Sequence, residues 1–181
     1  VTAAHYNGKI PRNPFAMYHV DPDHKEREFL TLDELTAMTE IKLEDPNMAF
    51  ARDLFIFGCW TGISFIDIKN LTEDNISMIN GAPWIVSKRQ KTGVPFQIKL
   101  MDIPMQIIGR YKAFRKGSHL FNIGNLDSIN KRIKKVAAMC GIKKRVSFHV
   151  SRHSWAVLAL EYGMPIESVS KILGHTNITT T

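Results

Sequence analysis

Cysteine is scarce: the chain has two, Cys59 and Cys140. They lie far apart, without Cys-x-x-Cys or Cys/His spacing. A disulfide framework or structural zinc site is therefore not expected, and a reducing, cytosolic compartment fits. Long apolar runs are missing too. The longest nearly uncharged stretch, Leu54 to Ile66, falls short of the roughly 20 residues a membrane helix needs, so no membrane association is expected. No basic region followed by an apolar stretch stands near the start, so no secretory signal is expected. Internal repeats and low-complexity tracts are absent. The chain has seven histidines, but no His/Asp/Glu set has metal-ligand spacing. That speaks against a metal-dependent nuclease, and no cofactor is expected.

Acidic residues are scarce in one half only. Residues 1–81 carry 7 Lys+Arg against 13 Asp+Glu, whereas residues 82–181 carry 17 against 4. Such a basic half is the footprint of a partner with many negative charges, nucleic acid first among them, although a solvated basic face gives the same count. With 181 residues, 44% apolar and 23% charged, the chain is long and apolar enough for one globular domain, with or without a short leader.

Residues 1–30 are expected to be that leader: Pro11, Pro14 and Pro22 interrupt regular structure, and Asn13-Pro14 and Asp21-Pro22 are turn dipeptides. Thr31-Leu32-Asp33-Glu34 is a capping box, with Leu32, Leu35 and Met38 on one face behind it. A helix from Pro46 to Trp60 is too apolar all round for a surface position and should be central. Trp84-Ile85-Val86 and Phe96 to Leu100 read as two strands around a basic turn, in which Gly93 can take positive φ. Helices follow over Ile103–Lys116, with Ile107, Ile108, Tyr111 and Phe114 on one face, and over Leu126–Cys140. In the latter Ile129, Ile133, Val136 and Ala137 face inward and Lys131, Arg132, Lys134 and Lys135 outward. His149–Tyr162, with Trp155, Leu158 and Leu160 buried, and Ile166–Leu173 complete the set, each stopped by glycine. The expected fold is mainly α with a small antiparallel β-hairpin or sheet (α+β).

Three groups of residues could carry chemistry. His149 and Arg152 stand three apart at a helix start and share a face, where an anion would meet both helix N–H groups and a guanidinium fork; by spacing alone they suit a structural role equally. His175, in Leu173-Gly174-His175, is by itself an ordinary turn residue. Lys88, Arg89 and Lys91 are either a solvated turn or a cationic finger reaching for DNA.

In order along the chain these pieces are more specific. Thr61-Gly62-Ile63-Ser64-Phe65-Ile66-Asp67 ends a buried helix; Lys91-Thr92-Gly93 tips a basic hairpin; then come His149-x-x-Arg152 and Leu173-Gly174-His175. This series resembles the catalytic domain of the tyrosine recombinases, the phage-integrase family, from Phe29 to Thr181. Asn13-Pro14-Phe15 and Arg27-Glu28-Phe29-Leu30-Thr31 resemble most closely the integrases of mobile elements from the Bacteroides group. The resemblance implies that residues 1–28 end an upstream core-binding domain and linker, and that 29–181 form the catalytic domain. It implies double-stranded DNA as substrate and a metal-free reaction through a 3′-phosphotyrosyl intermediate. It also implies a homo-tetramer on DNA, with this fragment expected to be a monomer in solution.

By position, the resemblance makes Arg152 a ligand of a non-bridging phosphate oxygen and His149 a partner in proton transfer or phosphate contact. Lys91 is implied as the acid for the 5′-oxygen, His175 as a phosphate donor and Asp67 as an orienting group. Lys131, Arg132, Lys134, Lys135, Lys143, Lys144, Arg145 and Lys88 are expected to contact the DNA backbone. Two features depart from the family pattern. The first box usually reads Thr-Gly-x-Arg, and Ser64 stands at the arginine position; losing such a donor costs about 2.7–4 kcal/mol of transition-state stabilisation. Arg89 is the expected substitute, because an i, i+2 relation on an extended strand would turn it to the same face as Lys91. The second is the nucleophile: the family tyrosine follows the Leu-Gly-His histidine by about nine residues, beyond Thr181. None of Tyr6, Tyr18, Tyr111 and Tyr162 matches it, so these 181 residues are expected to bind DNA without cleaving it. A catalytically inactive DNA-binding module that kept the fold is the alternative.

Overall fold

The structure is a computed structural model and describes residues 28–174, with 6–9 and 11. The first helix, α1 (Leu32–Glu40), starts where the capping box places it: the Thr31 hydroxyl accepts from the Glu34 amide and the Glu34 carboxylate accepts from the Thr31 amide at 2.8 Å. Helix α2 (Pro46–Thr61) follows, N-capped by Asp45 with proline in its first turn. It runs through the middle of the molecule. Leu54, Phe55, Ile56 and Phe57 are all buried, which leaves no outward face, as the sequence predicted. Helices α4 (Asp102–Tyr111), α5 (Leu126–Met139) and α6 (Phe148–Glu161) pack around α2. Phe55 meets Phe148 edge-on, and Phe57 meets Phe121.

After a short helix, α3 (Phe65–Lys69), the chain forms an antiparallel sheet of β1 (Ile76–Ile79), β2 (Ala82–Lys88) and β3 (Pro95–Lys99), in the order β1-β2-β3. Ile85 is central, opposite Ile76 on one side and Ile98 on the other. The expected hairpin is therefore one half of a three-stranded sheet. The first strand has only four residues, too few to show a period, but Asn80-Gly81 marks the turn after it with φ of 50° and 74°.

Two further expectations are corrected. Helix α4 ends at Tyr111 and a 3-10 turn over Lys112–Phe114 follows, so Phe114 is 71% exposed. In α6, Trp155 is buried but Leu160 is exposed, because only the first turns of that helix face α2. The basic helix α5 buries Ile129, Ile133, Val136 and Ala137 as its pattern requires. The last helix, α7 (Ile166–Leu173), closes a second small core of Trp155, Ala156, Val169 and Leu173, and Gly174 ends it in the left-handed region. No helix among the described residues is long and apolar enough to cross a membrane.

Candidate active site

Helix α2 stops at Gly62, whose φ of 64° turns the chain sharply into α3. Ser64 is the N-cap of α3: its hydroxyl accepts from the Asp67 amide and donates to the Asp67 carboxylate at 2.6 Å. Asp67 is thereby buried with its oxygens fixed. One of them also receives Arg89 Nη1 at 3.0 Å, and the other receives the Gln90 amide at 2.8 Å. The residue at the usual arginine position thus helps orient a carboxylate, and that carboxylate holds an arginine from elsewhere in the chain.

Arg89 follows the last residue of β2 and is 5% exposed. Its guanidinium lies over the Phe96 ring, 4.1 Å from the centroid, and donates through Nη2 to the Ile172 carbonyl of α7. Its Nε has no hydrogen-bond partner among the described residues. Gly174 lies against it: a Cβ there would stand 3.2 Å from Arg89 Cγ. Arg152, on the second turn of α6, donates to the Gly62 carbonyl at 2.9 Å and to the Leu173 carbonyl.

Among the described residues, the two guanidiniums therefore share one neighbourhood with a single carboxylate, that of Asp67. Burial, then the charge of Arg89, pushes the Arg152 pKa down to about 10, with Asp67 opposing. Burial also lowers that of Arg89, again against Asp67. Two cations beside one anion leave a surplus positive charge at a partly buried site.

Arg89 and Lys91 do not share a strand face. Regular pairing ends at Lys88; the Arg89 amide donates to the Val94 carbonyl and Gly93, with φ of 68°, closes a turn. Arg89 turns inward while Lys88 and Lys91 stay exposed at the hairpin. Arg89 reaches Asp67 and the neighbourhood of Arg152 by this inward turn, not by strand alternation. His149 is exposed on α6 and meets the His153 ring edge-on at 4.6 Å. His175 lies outside the described residues.

Of the residues expected to contact DNA, Lys131, Lys134, Lys135, Lys143 and Arg145 are exposed and Arg132 is half-buried. Lys144 is half-buried and already paired: its ammonium donates to the Glu34 carboxylate at 2.6 Å and to the Phe29 carbonyl at 2.9 Å. Spacing could not separate it from Lys143, because both sit in the same loop. Sequence reasoning missed Gln90, Phe96 and Asn130. The Asn130 side-chain oxygen accepts from the Phe148 amide at 2.7 Å and so fixes the start of α6. Only the position of Gln90, between two basic residues of interest, hinted at a role. Among the described residues no group of three or more His, Cys, Asp or Glu side chains is arranged to hold a metal ion.

The phage integrase family model matches residues 28–181, and the chain belongs to that family. The tyrosine recombinase XerC of Natranaerobius thermophilus is 44% identical over 174 residues, covering 88% of this chain and 58% of that protein. XerC of Yersinia pestis is 24% identical and covers 84% and 52%. The chain thus spans about half the length of these curated relatives.

Among solved structures, a lambda integrase dimer bound to a core site superposes with a TM-score of 0.76 at 18% identity, covering 99% of this chain and 69% of that one. The XerH recombinase bound to its difH substrate before cleavage gives 0.72 at 19%, covering 85% and 49%. At these identities the likeness establishes the fold: a mostly helical domain with a small antiparallel sheet.

Proposed function

We propose that this chain contributes the catalytic domain, residues 29–181, of a site-specific recombinase that cuts and rejoins double-stranded DNA. Residues 1–28 would then close an upstream core-binding domain and linker. The observation that carries this reading is the pair of guanidiniums, Arg89 and Arg152, around the single carboxylate of Asp67. Their surplus positive charge fits a phosphodiester, whose negative charge grows as the phosphorus becomes five-coordinate. The XerH structure has DNA bound, as has the lambda integrase dimer, which supports the same ligand here.

In the proposed reaction a tyrosine hydroxyl C-terminal to Thr181 attacks the scissile phosphorus and the bond to the 5′-oxygen breaks. A 3′-phosphotyrosyl link forms, the Lys91 ammonium protonates the departing oxygen, and the phenol proton passes to His149. Arg152, Arg89 and His175 bind the non-bridging oxygens, with Arg89 taking the place of the arginine missing at Ser64. Exposed Lys88, Lys131, Lys134, Lys135, Lys143 and Arg145, with half-buried Arg132, bind the flanking phosphates. Four copies assemble on two DNA sites. The phrasing around Pro14 and Phe29 supports a mobile element of the Bacteroides type as the source.

The test is a nicked suicide substrate built on the end of the element that carries the gene. It is offered, with EDTA present, to this chain and to one extended through the sequence that follows Thr181. A denaturant-resistant adduct with the extended chain alone is the expected result. Tight binding without an adduct from either chain would mean a DNA-binding module that kept the fold and lost the chemistry. In the extended chain Arg89→Ala should abolish the adduct as Lys91→Ala does; an adduct that survives Arg89→Ala removes Arg89 from the site.

A further inference from the structure

Beside Arg152 and His149 a cleft of about 300 Å³ opens between the start of α3, the start of α5 and the start of α6. Ile63, Ile66 and Leu126 form apolar walls, and the rings of Phe65 and Phe148 contribute aromatic surface. Ile66 and Leu126 are 44% and 39% exposed, although Ile68 of the same short helix and Ile129 and Ile133 of α5 are buried. Asn130 also lines the cleft. Its oxygen is committed to the Phe148 amide, which leaves its NH2 group as a hydrogen-bond donor.

We infer that this cleft holds an unstacked nucleobase of the DNA strand whose phosphate is bound at Arg152. The inference rests on the phosphate site proposed above. Cations on one rim continue directly into an apolar, partly aromatic hollow with an amide donor. A nucleotide has the same order of parts: a phosphate, then a flat apolar ring face, then an edge carrying acceptors. Arg152 lines both the hollow and the phosphate site, so one nucleotide could span the two. The Ser64 side chain, much shorter than an arginine, borders the cleft without reaching across it. Such a pocket would draw one base out of the stack next to the cut, as proteins that extrude bases do, with stacking on aromatic rings offsetting the lost pairing.

The test is an NMR titration of the 181-residue chain, read at the Arg and His side-chain N–H and C–H signals and at the Ile and Leu methyls, with inorganic phosphate, abasic deoxyribose 3′-phosphate, and thymidine and deoxyadenosine 3′-phosphates. All four should perturb the signals of Arg152 and His149. Only the nucleotides should move the Ile63, Ile66 and Leu126 methyls, and they should bind at least about fivefold tighter than the abasic compound, the low end for one stacked base. Leu126→Trp, which fills the mouth of the cleft, should erase that excess, and spectra of the variant show directly whether it folds. Perturbation at Arg152 by all four without any methyl response overturns the base pocket and leaves the phosphate site standing. No response at Arg152 to any of them overturns both.

Discussion

Gly62 carries three constraints at once. It holds φ at 64°, a Cβ there would stand 2.6 Å from the Trp155 ring, and its carbonyl receives Arg152. Gly62→Ala is therefore expected to cost at least about 1–3 kcal/mol, from left-handed strain and overpacking together, and urea denaturation measures it. Thr61-Gly62 was legible as the end of a helix, but the partner of its carbonyl was not. Arg89 teaches the same lesson. Its place beside Lys91 was expected from strand alternation, whereas a chain bend, the Phe96 ring and the Asp67 carboxylate turn it inward, away from Lys91. Residue spacing encodes direction only while regular structure lasts, and here it ends one residue earlier.

Among elements, α2 is the axis, and its buried charges tie its neighbours to it. Asp53 is 2% exposed and receives Arg52 Nε at 2.5 Å, Arg110 Nη1 at 2.5 Å and the Tyr111 hydroxyl at 2.8 Å. Arg52 also donates to the Ile41 carbonyl at 2.9 Å and the Thr39 carbonyl at 3.1 Å, at the end of α1. Asp53→Ala takes the counter-charge from buried Arg52 and the acceptor from the Tyr111 hydroxyl, and a loss of about 3–5 kcal/mol is expected in equilibrium unfolding. A second tie joins α1 to the loop before α6 through Glu34 and Lys144. Burial opposes the Glu34 charge, but Lys144 and Thr31 outweigh it and hold the carboxyl below its ordinary 4.5. That contribution is present above 4.5 and fades as pH falls through the lower folded value. Lys144→Met should thus lower stability at neutral pH and make little difference in acid, as unfolding curves across pH would show. The helices themselves were readable from period and caps, because α1, α2 and α5 each carry a start signal and a distinct apolar pattern. Side-chain ties between elements leave no such pattern, and so the roles of Asp53 and Lys144 emerged only with the fold.

For the whole molecule the division of charge is the leading property. The acidic first part contributes α1, α2 and α3, and the basic remainder contributes the hairpin and α5, where Lys131, Lys134 and Lys135 are exposed. Replacing Lys131 or Lys135 by alanine should each reduce the salt dependence of DNA binding, the slope of log K against log salt, by about one. An unchanged slope would leave these lysines as solubility charges. One last consequence follows from the carbonyls of Ile172 and Leu173, which receive Arg89 and Arg152. Before any ligand arrives, backbone oxygens at the end of α7 already occupy donors of both guanidiniums, as placeholders. When the final turn of α7 frays, both cations lose an acceptor in the same event. Local melting of one helix end therefore frees a donor on each guanidinium at once while their charge stays the same, so the two cations are released as a unit.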